Sequence, residues 1–406
     1  MKTMSCALVA CCSKAGLAVI RSLGARGVPV VGLCYGNSQS GASSRFLRDS
    51  IDVPDPSEDE QGFVDSLIAL GRRFDGAVLF ATDDGSLVAI SKHAAHLSSL
   101  YRLVPQPWSL VRQLIEKHRT YDIARRHRIP CPRLIMASTV DECVAFARQI
   151  GFPCLLKPSV GHLFYKRFRQ KMIMVNSERE LLSHVDLIGG DRSIMLCEYI
   201  PGGDECGANY NSFALQGKAL YEFTAEKVRN KPRLIGFPTV VRSVVMPEVQ
   251  MLGRRVLAAF GIEDFSCTEF KLDPRDGQYK LMEVNARPNY SGALAVACGI
   301  DFPVLSYQRA LGLPLERLPS RQTENVVWID EERDVRGVVR AMGRGAAEAR
   351  RYIEPYRARK VFAVFRADDP LPTMALARTS IASLLRKDEA HRAARSVRQS
   401  SAQPEI

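Results

Sequence analysis

The first hundred residues alternate short apolar runs with segments of helical spacing. Cys6–Ala10 is apolar, and Lys14–Arg26 carries apolar positions three and four apart and stops at Gly27. Val28–Leu33 is apolar again and runs into a Gly/Ser-rich loop. Phe63–Arg72 predicts a helix, Gly76–Phe80 a strand, and Thr82-Asp83-Asp84-Gly85 a polar turn ahead of another helix. Strands separated by helices of roughly ten to fifteen residues predict βαβ units and a parallel sheet. A boundary falls near Pro105–Pro107. A helix is predicted over Trp108–His127, stopped at Ile129-Pro130-Cys131-Pro132, and from there to about residue 300 the pattern reads as strands and hairpins. Leu311–Ser320 is a Pro-punctuated linker. The tail predicts a helix over 334–352, a strand at Val361–Phe365, a helix over Leu371–Leu385 and a frayed Ser/Arg/Gln end.

The 406 residues are 46% hydrophobic and 25% charged, an ordinary globular composition that excludes a disordered chain, a fibrous repeat and a small disulfide scaffold. No apolar run approaches the roughly 20 residues needed to cross a bilayer, so no membrane span is expected. Eleven cysteines, none in a C-x-x-C pair, argue against a zinc site and for reduced thiols, hence a cytoplasmic location. Leu8-Val9-Ala10-Cys11 resembles a lipoprotein cleavage site. Its n-region holds Lys2 alone, however, and an amphipathic helix follows with no polar spacer, so the stretch is read as a buried first strand. The net charge of +12 favours anionic partners, and 331–406 holds 16 Lys+Arg against 10 Asp+Glu. Two denser basic clusters are internal: Lys166, Arg167, Arg169, Lys171, and Lys227, Arg229, Lys231, Arg233. The first strand–helix loop is not G-x-G-x-x-G, and no G-x-x-x-x-G-K-[ST] occurs, so the patterns of dinucleotide and P-loop sites are missing.

Chemistry concentrates in Phe265–Pro288. Pro274-Arg275-Asp276-Gly277 is a turn between two alternating runs, and a hairpin symmetric about Asp276 sets Glu269 opposite Glu283. Phe270, Leu272, Met282 and Val284 then share an apolar face, and Glu269, Lys271, Glu283 and Asn285 share the other. Two opposed carboxylates repel by a fraction of a kcal/mol up to about 1, and a divalent cation between them reverses that sign. Few oxygen ligands, open on one side, suit Mg²⁺ held jointly with substrate phosphates. A merely solvated face is the plain alternative, but Asn285 and Arg287 extend the same polar row.

Lys157 ends the apolar strand Phe152–Leu156, where a lysine is either a phosphate ligand or a surface residue. The loop from Ser159 to Lys171 interleaves basic residues with His162, Phe164, Tyr165 and Phe168, which fits single-stranded nucleic acid or a flap over a triphosphate. Met195–Ile200 is a strand that breaks at Pro201-Gly202-Gly203-Asp204-Glu205. Its loosened backbone could meet an adenine edge, and Glu205 could accept from ribose hydroxyls. Asp83 and Asp84 either face a ligand at a strand end or cap the following helix.

Taken in order, these pieces resemble the ATP-grasp superfamily, and within it the carboxylate–amine ligases related to D-aspartate ligase. The resemblance covers about residues 1–300 and rests on Glu283-Val284-Asn285-Ala286-Arg287-Pro288. Leu156-Lys157-Pro158, Ile200-Pro201-Gly202-Gly203-Asp204, Lys227-Val228-Arg229 and Thr82-Asp83-Asp84 support it. It implies an α/β and α+β molecule: an N-terminal Rossmann-like pre-ATP-grasp domain over 1–106, a nucleotide-binding and catalytic region over 107–310 with a lid at about 130–200, and a C-terminal basic extension over 311–406. It further implies ATP phosphates on Lys117, Lys157 and Lys171, adenine on backbone groups of Glu198 and Ile200, and ribose on Glu205. Glu269, Glu283 and Asn285 are the implied Mg²⁺ ligands, for two ions with Mn²⁺ as a substitute, and Arg287, Lys227 and Arg229 the catalytic cations. The implied reaction joins a small-molecule carboxylate to an amine through an acyl-phosphate, with no nucleic acid partner and a homodimer left open. The competing readings are an ATP-grasp carboxylase or carbamoyl-phosphate-type enzyme, and a non-catalytic nucleotide- or nucleic-acid-binding protein. One departure stands out: the loop after Lys157 carries a single Gly161 where many family members have a run of glycines.

Overall fold

The computed structural model describes residues 4–378 apart from 37–38, 105, 138, 159–171, 189–193 and 235. The basic loop with His162 and Lys171, and the end of the predicted tail helix, therefore lie outside the described residues. Three sheets organise the rest.

The first sheet holds β1 (Ala7–Ala10), β2 (Val30–Cys34), β3 (Leu47–Asp52), β4 (Ala77–Ala81) and β5 (Tyr101–Leu103) in the order β3-β2-β1-β4-β5, every pair parallel. Every residue of β1, β2 and β4 is buried, as a parallel sheet covered by helices on both faces requires. The edge strand β3 alternates half-buried with exposed positions, and its polar sequence hid it from the hydrophobic pattern. Strand order reverses between β1 and β4, so their carboxyl ends open a crevice where open α/β sheets bind ligands.

The second sheet holds β6 (Leu134–Met136), β7 (Cys154–Pro158), β8 (Ile173–Val175) and β9 (Ile194–Glu198), antiparallel in the order β6-β9-β7-β8. Helices Val140–Ile150 and Glu178–Ile188 accompany it, inside the stretch read as strands and hairpins. The first begins with a capping box in which Thr139 and Glu142 satisfy each other's backbone amides. Ala147 and Leu181 bury against Leu156 and Leu196.

The third sheet holds β10 (Gly207–Leu215), β11 (Lys218–Lys231), β12 (Phe237–Ser243), β13 (Asp264–Asp273), β14 (Gln278–Asn285), β15 (Val326–Ile329) and β16 (Arg359–Phe362), in the order β14-β13-β10-β11-β12-β15-β16. Helix Pro247–Phe260, also unforeseen, packs Val249, Leu252, Val256 and Leu257 into the core. Gly253 lets it lie on Tyr210, for a Cβ there would stand 2.4 Å from the ring. β15 and β16 come from the segment read as a separate basic extension, and Trp328 of β15 is fully buried. The predicted 334–352 helix is two, Glu331–Met342 and Ala346–Ile353, parted at Gly345 with φ +114°. Residues 371–378 are helical.

Candidate functional site

A cleft of about 1590 Å³, counting space open to solvent, lies where the three sheets meet. Its floor is the β13–β14 hairpin. Glu269 pairs with Glu283 across the ladder, as the symmetric hairpin predicts, and Asn285 continues the row opposite Cys267. A bulge then shifts the register, so that Phe270 pairs with Leu281. This corrects the apolar face: Leu281, not Met282, joins Phe270 and Val284 in the core, and Met282 turns to line the cleft.

The opposed carboxylates are each held by an ammonium group, Glu283 by Lys117 and Glu269 by Lys227. Burial alone would lower both lysine pKa values, but the facing glutamates outweigh it and hold them above the ordinary range. The predicted helix over Trp108–His127 breaks at Glu116, whose backbone is extended (φ −80°, ψ 94°), into Trp108–Ile115 and Lys117–Arg126. Arg112 Nε donates to the Glu116 carboxylate at 2.6 Å, and Thr120 Oγ1 donates to the Gln113 carbonyl at 2.8 Å, so polar groups brace the corner. The break starts a new helix at Lys117 and delivers its side chain to the cleft.

Lys157 of β7 is 5% exposed and lines the same cleft. Arg287 enters from beyond β14 and pairs through Nε with Asp84 at 2.5 Å. Burial opposes its charge, yet Asp84, Glu283 and Asp83 hold its pKa well above the usual arginine value. The Asp83/Asp84 pair thereby divides its labour. Asp83 caps helix Asp84–Lys92 by accepting from the Ser86 amide and also accepts from the Tyr35 hydroxyl at 2.9 Å; Asp84 lines the cleft. Burial raises the Asp83 pKa against these hydrogen bonds.

The residues of the hinge, where β9 ends at Glu198 and the chain runs on through Ile200 to Glu205, are arranged differently from one another. The Glu198 amide donates to the Arg133 carbonyl at 2.8 Å. Its carboxylate accepts from the Arg133 amide at 3.0 Å and from Arg275 at 2.8 Å. Burial disfavours that carboxylate's charge, but these donors prevail and depress its pKa. The Ile200 carbonyl accepts from Lys271 Nζ at 2.8 Å. Lys271, which the hairpin pattern put on the Glu269 face without assigning it a role, lines the cleft and has its pKa lowered chiefly by burial. Glu205 is exposed on the short turn Asp204–Cys206, and it is Gly203 and Asp204 that line the cleft. A Cβ on Gly203 would meet the Glu205 carboxylate at 2.3 Å, so the glycine seats that carboxylate at the cleft rim.

Arg229 is the clear departure. A bulge between Lys227 and Arg229, both implied as catalytic cations, breaks the strand's alternation and turns the two side chains apart. Lys227 faces the cleft, while Arg229 pairs with the buried Asp334 at 3.1 Å, donates to the Tyr352 carbonyl at 2.9 Å and stacks on the Tyr352 ring. It is a packing residue between β11 and the C-terminal helices, not a cleft cation.

Among the described residues no group of three His, Cys, Asp or Glu side chains forms a metal cage. The donor set at the hairpin is two carboxylates and one amide oxygen, the sparse, one-sided kind that fits Mg²⁺ completed by phosphate oxygens. The two carboxylates already hold two ammonium groups, which shows how strongly the ledge calls for positive charge.

The three sheets and the cleft between them are those of the ATP-grasp fold. No protein-family model matches it. It is 25% identical over 247 residues to D-aspartate ligase of Enterococcus faecium, covering 55% of this chain and 56% of that enzyme. It is 28% identical over 203 residues to D-alanine–D-alanine ligase of Pseudomonas entomophila, covering 47% and 62%. The chain thus spans little more than half the length of these relatives. Among solved structures, the ADP complex of PurK, N5-carboxyaminoimidazole ribonucleotide synthetase, superposes with a TM-score of 0.64 at 13% identity over 85% of this chain and 87% of that one.

Proposed function

We propose that the chain is an ATP-dependent carboxylate–amine ligase. A carboxylate takes the γ-phosphoryl of ATP to become an acyl-phosphate, an amine attacks the acyl carbon, and ADP and phosphate leave. The observation that carries this reading is the Glu269–Glu283–Asn285 ledge facing Lys157 and Arg287 across one cleft. Mg²⁺ held by Glu269, Glu283 and Asn285 would neutralise charge on the nucleotide phosphates; ion number and replacement by Mn²⁺ belong to the same proposal. Lys157, with Lys117 and Lys171, binds the phosphates. Arg287 steadies the transferred phosphoryl group, and Lys227 the ledge beside it. Phosphoryl transfer asks the protein mainly for positioning and charge neutralisation, which these groups supply. Adenine lies against the Glu198–Ile200 backbone and ribose at Glu205. The second sheet and its helices act as the lid, between the N-terminal unit of 1–106 and the remainder of 107–310. A cytoplasmic location and small-molecule substrates complete the reading; a homodimer is supported by a biotin carboxylase domain dimer among the similar folds.

The test is ADP release with Mg²⁺ over mixtures of amino acids. Glu283→Ala should abolish it while leaving the circular dichroism spectrum unchanged; normal turnover by the folded variant refutes the metal assignment. A second reading, carboxylation through carboxyphosphate, draws support from the PurK-like fold. ADP release with bicarbonate that exceeds release with amino acids selects it.

A further inference from the structure

Two thiols meet at the carboxyl end of the first sheet. Cys34 is the last residue of β2, and Cys12 stands just past the end of β1. Their sulfurs are 3.4 Å apart, within hydrogen-bonding distance. Gly32 and Cys34 face the same side of β2, and the Cys12 sulfur fills the space beside Gly32, where a Cβ would stand 2.6 Å from it. All eleven cysteines are free, so the pair is a dithiol. Its two members are unlike. Cys12 is fully buried, whereas Cys34 keeps 6% of its surface exposed. A hydrogen bond from the Cys12 thiol is the leading effect on Cys34 and lowers its pKa against burial, while the same bond and burial raise that of Cys12. Neighbouring Cys11 is no rival, since burial pushes its thiol up to about 12.

The backbone on the two sides of the pair is held unequally. Cys34 is fixed in the ladder, in register with Asp52 of β3. Cys12 lies in the loop leaving β1, directly after Cys11, whose φ of +71° is strained for a residue with a side chain. Thr82, just past β4, steadies that loop by donating its hydroxyl to the carbonyls of Ala10 at 2.7 Å and Cys11 at 2.8 Å. After Thr82 come Asp83, which caps the next helix, and Asp84, which pairs with Arg287 in the cleft. A continuous path of bonds therefore joins Cys12 to a cleft cation.

We propose that Cys34 and Cys12 form a redox switch, closing to a disulfide when a peroxide oxidises Cys34, and that closure loosens the hold of Thr82 and Asp84 on Arg287. The Cys34 thiolate attacks one peroxide oxygen, the O–O bond breaks, and the departing hydroxide takes up the Cys12 proton as water. The Cys12 thiolate then attacks the sulfur of the Cys34 sulfenic acid, the S–O bond breaks, and a second water leaves as the S–S bond forms. Two thiols are oxidised and one peroxide is reduced by the same two electrons. Only Cys34 has to meet the oxidant, and peroxide is little larger than water. A disulfide of about 2.05 Å draws the sulfurs together by roughly 1.4 Å from their present 3.4 Å. Cys12 makes the movement, because Cys34 is set in the ladder, and the Cys11 carbonyl is pulled from Thr82. In a reducing compartment such a pair rests as the dithiol and responds only to a pulse of oxidant. The effect on turnover, though not the disulfide itself, rests on the ligase reading.

The experiment treats the reduced full chain with hydrogen peroxide and follows intact mass, amide hydrogen exchange and ADP release. One disulfide joining the Cys12 and Cys34 peptides is expected, and exchange at residues 82–86 should quicken. The kcat should fall about 10- to 100-fold, the cost of misplacing an aimed group by about 1 Å. Dithiothreitol should restore all three. Cys34→Ala and Cys12→Ala should match the reduced wild type in turnover and keep that turnover after peroxide, and Cys12→Ala should leave a Cys34 sulfenic acid that dimedone traps. The wild-type comparison decides the proposal even where a variant fails to fold. Peroxide-treated native protein without that disulfide overturns it, and so does a disulfide that leaves exchange at residues 82–86 and turnover unchanged. A disulfide with quickened exchange, but no ADP release from the reduced or the oxidised form, upholds the switch and removes the ligase reading instead.

Discussion

At the scale of single residues, the site is a balance of charges that no one residue defines. Glu269 and Glu283 are unfavourable neighbours until cations face them, and Lys117 and Lys227 supply those cations. Arg287 is tied to Asp84 at the start of the helix after β4, so the guanidinium proposed to meet the transferred phosphoryl is oriented from the N-terminal segment. Arg287→Lys keeps a charge that can still reach Asp84 but loses the planar fork. It should lower kcat of ADP release by about 10²–10³-fold, the usual cost of removing an aimed electrostatic donor, with MgATP affinity unchanged by calorimetry. An unaltered kcat would leave Arg287 with no more than a tether between sheets. The alternating hydrophobic pattern was enough to oppose Glu269 and Glu283. It could not say that Arg229 turns from the cleft, because a bulge is one inserted residue and leaves no mark on composition.

At the scale of elements, two local irregularities aim the chemistry. The corner at Glu116 contains neither Gly nor Pro, so helix-breaker signals were silent and the segment read as one helix. The β13–β14 hairpin is pinned at its turn by Arg275, which donates to Asp273 at 2.9 Å through Nε and to Glu198 of β9 at 2.8 Å. The turn arginine thus joins the floor of the cleft to its hinge. For Asp273 the Arg275 hydrogen bond is the leading effect and lowers the pKa; for Glu198 burial is outweighed by Arg133 and Arg275, with the same net direction. Carboxylates with depressed folded pKa values contribute stability above their ordinary values of 3.8 and 4.5, and lose it as the pH falls through the folded values. Arg275→Ala should therefore lower Tm most near neutrality, and the gap to wild type should close on acidification. A gap of constant size across that range, followed by thermal melts, would show that the arginine packs without pairing.

At the scale of the whole molecule, the C-terminal segment is a clasp. Glu331 accepts from the amides of Ala363, Val364 and Phe365, which folds the chain back after β16. Asp369, fully buried, then accepts from Arg21 Nε at 2.8 Å, Ser44 Oγ at 2.7 Å and the Arg45 amide at 2.8 Å, closing the segment onto the N-terminal sheet. Arg21 also donates to the Val364 carbonyl at 2.7 Å. Asp369→Ala leaves a buried guanidinium short of its counter-charge, and should cost about 3–5 kcal/mol in urea denaturation. A loss below about 1 kcal/mol would mean that water or a shifted loop replaces the carboxylate.

The sequence alone determined what depends on neighbours along the chain. The buried strands of the first sheet, the turn at Asp276, the acidic pairing across it and the ATP-grasp resemblance all follow from local alternation and short motifs. The tertiary structure decided what depends on contacts between distant segments. It recruited β15 and β16 to the large sheet, turned Arg229 into a packing residue, and set Asp84 on Arg287 and Arg333 on Phe237 and Tyr290. Periodicity records which face of an element is apolar. It does not record which other element covers that face, and long-range burial and charge pairing are settled only when the chain closes on itself.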